Sequence, residues 1–137
     1  MSYAGDVTPK QAWERLEQNP KAVLVDCRTR AEWNFVGVPD VSALGKQAVF
    51  VEWIDFPHGM PNTSFVEQLR SAGIDDDAEV LFLCRSGHRS IGAAEAATAA
   101  GIGQAYNVLD GFEGAIDAQG HRGSAGWRAE NLPWRQS

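Results

Sequence analysis

The stretch Glu79-Val80-Leu81-Phe82-Leu83-Cys84-Arg85-Ser86-Gly87-His88-Arg89-Ser90 decides the fold. Glu79 to Leu83, apolar from Val80 onward, reads as a buried strand. Cys84 stands at its C-terminal end. Arg85 to Arg89 is a short polar loop around one glycine. From Ser90 to Ala100 the chain is rich in alanine, which predicts a helix closed by Gly101. Strand, tight loop and helix in immediate succession are the unit of an α/β sheet. In such sheets, ligands gather beyond the C-terminal ends of the strands, which is where Cys84 falls.

The same alternation extends outward in both directions. Thr8-Pro9-Lys10-Gln11 opens a helix, with Thr8 as cap, Pro9 in the first turn and Gln11 completing a capping box. Trp13 and Leu16 share one face of it, and Asn19-Pro20 ends it. Ala22 to Val25 reads as a buried strand leading into Asp26-Cys27-Arg28. Ala48 to Trp53 reads as a further strand. Asn62 or Thr63 is expected to cap a helix that buries Phe65, Val66 and Leu69 and ends near Gly73. Ala105 to Leu109 reads as the last strand. Beyond Asp110 the chain is glycine-rich and irregular, and Trp127 and Trp134 are expected to pack back onto it. The pattern predicts an α/β fold with a largely parallel sheet. The 137 residues fit one domain, 1–137.

The formal net charge of -6 disfavours nonspecific nucleic acid or anionic membrane binding. Two cysteines, Cys27 and Cys84, make no disulfide framework, and no C-x-x-C pair points to zinc. No metal site is expected. Two free thiols fit a reducing compartment. With no apolar leader and no membrane-length run, the cytoplasm is the expected location.

The loop after Cys84 concentrates chemistry. Gly87 lets the backbone close around the sulfur. Loop amides and the start of a helix point N–H groups into one concavity, which favours an anion. Arg85 and Arg89 add two permanent charges. These surroundings favour a thiolate over a thiol, making Cys84 the candidate nucleophile. Cys27 has no such setting and reads as structural, with a resolving thiol as the alternative. Trp33, Phe35, Trp53 and Phe56 read as packing residues, with pocket lining as the alternative.

Taken with their order along the chain, these pieces resemble the rhodanese family. The loop Cys84-Arg85-Ser86-Gly87-His88-Arg89-Ser90 resembles the family's catalytic loop. Asp26, Arg28 and Glu32 resemble its D-x-R-x-x-x-E element. Gly101 with the strand after it, Gly111-Phe112-Glu113-Gly114 and Trp134 resemble its later segments. Where the family usually shows G-H-I-x-G-A, this chain has Gly37-Val38-Pro39-Asp40-Val41-Ser42, without the histidine. The stretch Asp117 to Gly126 is longer than a minimal domain needs. It reads as a solvated loop, with a cover over the site as the alternative.

The resemblance implies a five-stranded, mostly parallel sheet with helices on both faces. It implies a thiosulfate sulfurtransferase that moves a sulfane sulfur through a Cys84 persulfide, with no cofactor. The donor would be a small anion, and the acceptor cyanide, a thiol or a protein. Arg85, Ser86, Gly87, His88, Arg89 and Ser90 would bind the donor or hold the persulfide. Asp26, Arg28 and Glu32 would support the loop, Arg28 pairing with a carboxylate for which Glu32 is the candidate. Two rivals stand beside this. A cysteine-loop phosphatase or arsenate reductase would need five residues between cysteine and arginine, but only four separate Cys84 from Arg89. A persulfide carrier or binding module acting with a partner protein would use the same loop.

Overall fold

A computed structural model describes residues 2–136. In chain order the elements are β1 (Gly5–Val7), α1 (Pro9–Gln18), β2 (Ala22–Asp26), α2 (Arg30–Phe35), β3 (Val38–Pro39), a 3-10 turn (Ser42–Leu44), β4 (Val49–Phe50), α3 (Phe65–Ser71), β5 (Glu79–Leu83), α4 (Arg89–Ala99), β6 (Gln104–Val108) and β7 (Trp134–Arg135). Five strands form one sheet in the order β1-β6-β5-β2-β4, with every pairing parallel. The sheet and its flanking helices match the rhodanese-like α/β architecture. β3 and β7 form a separate antiparallel pair.

β5 is central and buried along its whole length. Its side chains alternate between two cores, as a pleated strand requires. Val80 and Phe82 face α3 and α4 with Phe65, Leu69, Ala93 and Ala97. Leu81 and Leu83 face α1 with Ala12, Leu16 and Trp127. Each valine, leucine or phenylalanine among these contributes about 1.5–3 kcal/mol on burial. No helix among the described residues is long and apolar enough to cross a membrane.

Local sequence signals explain most element ends. At α1, the Thr8 hydroxyl accepts from the Gln11 amide and the Gln11 side chain accepts from the Thr8 amide, the expected capping box. α4 spans Arg89–Ala99 and β6 spans Gln104–Val108, each one residue earlier than expected.

Three features differ from the expectation. The strand read as Ala48 to Trp53 is in the ladder only at Val49–Phe50. Beyond it the chain turns so that Trp53 lies against Gly92 of α4 and Phe65 of α3. α3 has Ser64 at its cap position and no side-chain cap bond; Asn62 instead accepts from the Ser64 amide. α2 was not expected as a helix, yet Thr29 and Glu32 form a second capping box in front of it.

The Gly37–Ser42 segment, which departs from the rhodanese pattern, holds β3. Val38 and Pro39 pair with Arg135 and Trp134, so the C-terminal tail fastens this segment. Gly37 lies so close to the Trp134 ring that a Cβ there would sit 2.9 Å from it. Trp127 is fully buried, whereas Trp134 is 41% exposed and meets Phe112 edge to face.

Candidate active site

Cys84 follows the last residue of the central strand and is buried. Its backbone is clamped from both sides. On one side, the amide of Cys27, just past β2, donates to the Leu83 carbonyl at 2.9 Å. On the other, the Phe112 amide donates to the Cys84 carbonyl at 2.8 Å, and the Glu113 and Gly114 amides donate to that of Arg85. Gly111 makes this clamp possible: its φ is +57°, and a Cβ there would lie 2.3 Å from the Cys84 carbonyl oxygen.

The loop then closes on the sulfur. Gly87, at φ +94°, donates its amide to Cys84 Sγ at 3.2 Å. Ser90, fully buried in the first turn of α4, places its Oγ 3.1 Å from the same sulfur. Ser86 is half-buried, and His88 is exposed at the cap position of α4 without a cap bond. Arg85 is exposed and, among the described residues, in no ion pair.

Arg89 is held more firmly. Its guanidinium makes two parallel bonds to Glu32, at 2.7 and 2.9 Å, a bidentate geometry that fixes both groups. Burial raises the Glu32 carboxyl, but the hydrogen bonds and charge of Arg89 outweigh it and hold the carboxyl below its ordinary value. Burial likewise lowers Arg89, and Glu32 more than restores it.

The expected Arg28–Glu32 pair does not form. Arg28 lies between β2 and α2, so the one-turn spacing that would join it to Glu32 does not apply. In extended chain, residues two apart share a face, and Arg28 is bidentate to Asp26. Its Nη2 also donates to the Gly37 carbonyl at 2.7 Å, and its guanidinium lies 4.3 Å over the Phe112 ring. Both Arg28 and Asp26 are fully buried. Arg28 therefore braces the residue that clamps Cys84 and is closed off from the surface.

A cleft of about 380 Å³ opens beside the loop. Arg85, Arg89, Glu32 and Asp55 supply its charge; Val36, Ile54 and Phe56 supply its apolar walls. A larger hollow over β4, lined by Trp33 and Phe50, contains no residue of the Cys84 loop. Phe56 is thus the one of the four aromatics that lines the cleft at the loop; Trp33 meets Phe50 edge to face, Trp53 packs on Phe65, and Phe35 is 82% exposed. None of residues 117–126 lines the cleft at the loop. That segment folds around Asp117, which accepts from the Gln119 and His121 amides and the Ser124 hydroxyl, while Arg122 donates to the Gly114 carbonyl.

Cys27 is fully buried. Burial, then the neighbouring Cys84 and Asp26, push its thiol well above the ordinary cysteine value. It is a neutral packing group at physiological pH.

Two polar residues that the sequence reading passed over also reach the site. Buried Asn107 on β6 accepts from the Ser90 hydroxyl, and its amide nitrogen donates to Asp6 at 3.0 Å. Parallel pairing of Phe82 with Asn107 is what sets Asn107 beside the end of β5.

Comparison with known proteins finds relatives of this chain. The family described as STR4 middle domain matches residues 4–137. The Rickettsia conorii protein RC0915 is 37% identical, over 95% of this chain and 96% of its own. The thiosulfate sulfurtransferase GlpE of Glaesserella parasuis is 29% identical, over 83% of this chain and 88% of its own. Among solved structures, Rv0390 of M. tuberculosis superposes with a TM-score of 0.90 at 62% identity, over 98% of this chain and 99% of that one. A rhodanese-like domain protein of Staphylococcus aureus superposes with a TM-score of 0.58 at 21% identity, over 79% of this chain and 87% of that one, a likeness of fold. The chain belongs to the STR4 middle-domain family, and its fold is rhodanese-like.

Proposed function

We propose that this protein is a sulfurtransferase that carries a sulfane sulfur on Cys84. The observation that carries this reading is the sulfur's setting. Cys84 Sγ lies at the end of the central strand, receives the Gly87 amide and sits against the Ser90 hydroxyl, with two arginines on the adjoining cleft. Likeness to the GlpE sulfurtransferase supports it.

In the proposed reaction the Cys84 thiolate attacks the outer sulfur of thiosulfate. The sulfur–sulfur bond of thiosulfate breaks, and its electron pair leaves with sulfite. A persulfide remains on Cys84. Cyanide or a thiol then attacks the terminal sulfur, and the pair of the persulfide bond returns to Cys84 as thiolate. Electrons balance without an outside oxidant. Arg85, free of any ion pair among the described residues, attracts the doubly charged donor; Arg89 shapes the cleft while held by Glu32. The Gly87 amide steadies the sulfur throughout. The acidic chain fits a small-molecule reaction in the cytoplasm better than work on nucleic acid.

The acceptor has a second reading. Phe56 on the cleft is 69% exposed and Phe35 is 82% exposed. Exposed aromatics near a loaded cysteine suit a protein acceptor that docks over it.

The test is intact mass after incubation with thiosulfate, for the wild type and Cys84→Ser. The wild type gains one sulfur atom and loses it to cyanide; the variant gains none. A wild type that gains nothing from thiosulfate or from a protein persulfide, yet hydrolyses a phosphate ester, would overturn the reading in favour of a cysteine-loop phosphatase.

A further inference from the structure

The cleft beside the Cys84 loop is larger and more apolar than inorganic substrates need. Its volume of about 380 Å³ lies within the range of about 300–1,000 Å³ that holds organic ligands. Thiosulfate and cyanide are compact and carry no apolar surface. Neither gains from the wall of Val36, Ile54 and Phe56. The Phe56 side chain is largely exposed, so a ligand lying on its ring would remove apolar surface from water.

The charges of the cleft limit what can cover that wall. Arg89 and Glu32 satisfy each other through two parallel bonds. Asp55 lies on the same segment as Ile54 and Phe56. Its carboxylate accepts from the Met60 amide at 2.9 Å and lies 3.5 Å from His58 Nδ1. That leaves Arg85, exposed and, among the described residues, in no ion pair. One free cation suits one negative group, and like charge keeps that group away from Asp55. A ligand that matches the cleft therefore has an anionic group at Arg85 and an apolar body against Ile54 and Phe56. Arg85 and Arg89 bracket Ser86, Gly87 and His88, so such a ligand lies against the loop that holds the sulfur. A persulfide carries its terminal sulfur about 2 Å beyond Cys84 Sγ.

We propose that Ile54 and Phe56 are specificity-determining residues, and that the sulfur acceptor is a small organic thiol with an apolar body and one anionic group. The inference rests on Cys84 as the sulfur carrier and names the acceptor class of that same site. In the step concerned, the acceptor thiol gives its proton to solvent and its thiolate attacks the terminal sulfur of the Cys84 persulfide. The persulfide bond breaks, and its electron pair stays with Cys84 as thiolate. The product is the persulfide of the acceptor, and no outside oxidant or reductant is needed.

The probes are 3-mercaptopropionate and 2-benzyl-3-mercaptopropionate, which share a primary thiol and a carboxylate and differ by a benzyl group. The protein is loaded with thiosulfate, freed of donor and mixed with each thiol, and loss of the added sulfur is followed by intact mass. Each second-order rate constant is divided by that of the same thiol with the persulfide of free cysteine, which removes intrinsic reactivity. The wild type should prefer the benzyl compound about tenfold, as expected for an aromatic group part-covered by an apolar wall. In Phe56→Ala the preference should fall to about twofold or less. Replacing the carboxylate of the benzyl compound by an amide should cost about threefold at low salt, and that cost should vanish in Arg85→Ala.

A wild type that discharges both thiols at one corrected rate, a Phe56→Ala protein that keeps the full preference, or an amide as fast as the acid would overturn the proposal. Each of those results leaves the sulfurtransferase reading standing, because the sulfur was loaded and passed on. A wild type that gains no sulfur from thiosulfate or from a protein persulfide defeats that reading, and the acceptor proposal falls with it.

Discussion

Replacing Gly111 by alanine should loosen the site more than any substitution of similar size. Its φ of +57° lies in the left-handed region, which costs an alanine about 1–2 kcal/mol. The new Cβ would sit 2.3 Å from the Cys84 carbonyl oxygen, where ordinary contact begins near 3.4 Å, so the two segments must part by about 1.1 Å. Neither neighbour is a flexible side chain, and overpacking of this kind costs about 1–3 kcal/mol. Such a displacement also breaks the 2.8 Å bond from the Phe112 amide, worth about 1 kcal/mol. The expected loss is about 3–6 kcal/mol, or roughly 10–20 °C in Tm for a chain of this size. Two other glycines make the series decisive. Gly120 has φ +81° and nothing within 4 Å of its Cβ position, so its alanine variant should lose only the backbone part, about 1–2 kcal/mol. Gly103 has neither feature and should be close to neutral. Calorimetry on the three variants is the assay. If Gly111→Ala melts with Gly120→Ala, the second loop does not press on Cys84 as argued.

Other outcomes follow from the same geometry. Glu32→Gln removes a carboxylate that binds its proton more weakly in the folded state than in the unfolded one. The loss of stability, about 1–2 kcal/mol at neutral pH, should shrink as pH falls through the folded value, read by urea unfolding at a series of pH values. Arg85→Ala should raise the thiosulfate KM about tenfold, with an effect that weakens in high salt, and leave Tm unchanged, whereas Arg89→Ala should lower Tm because it strands Glu32. Because burial pushes the Cys27 thiol up, alkylation of the native protein should label one cysteine per chain and none in Cys84→Ser; labelling of Cys27 in that variant would refute its inertness.

The parts of the fold that were legible are those with a local cause. Val80 to Leu83 is apolar throughout because both faces of β5 are covered, and Thr8 with Gln11 announces α1 by chemistry four residues long. The Cys84 loop was legible for the same reason: glycine, arginines and helix start are contiguous. What stayed hidden depends on partners far away in sequence. β1, β3 and β7 are two or three residues long and carry no periodic pattern; each exists because a strand about a hundred residues distant presents an open edge. Asn107 looked like one polar residue in a strand, and only the β5–β6 register gives it a purpose. The choice between Asp26 and Glu32 as the partner of Arg28 turned on whether the chain was already helical at residue 28, and the Thr29-x-x-Glu32 box held the answer.

The pairing of β1 with β6 and of β3 with β7 also governs the order in which the protein can be made. At ribosomal speeds of about 5–20 residues per second, Gly5 waits about 5–20 s for Tyr106 to appear. The Gly37 carbonyl that holds Arg28 stays unfastened until Trp134 has left the ribosome. Cys84 is thus synthesised well before its supports. A chain that has not yet reached Trp134 carries the cysteine on an unbraced loop, and Trp134 and Arg135, made long after Cys84, complete the setting for its chemistry.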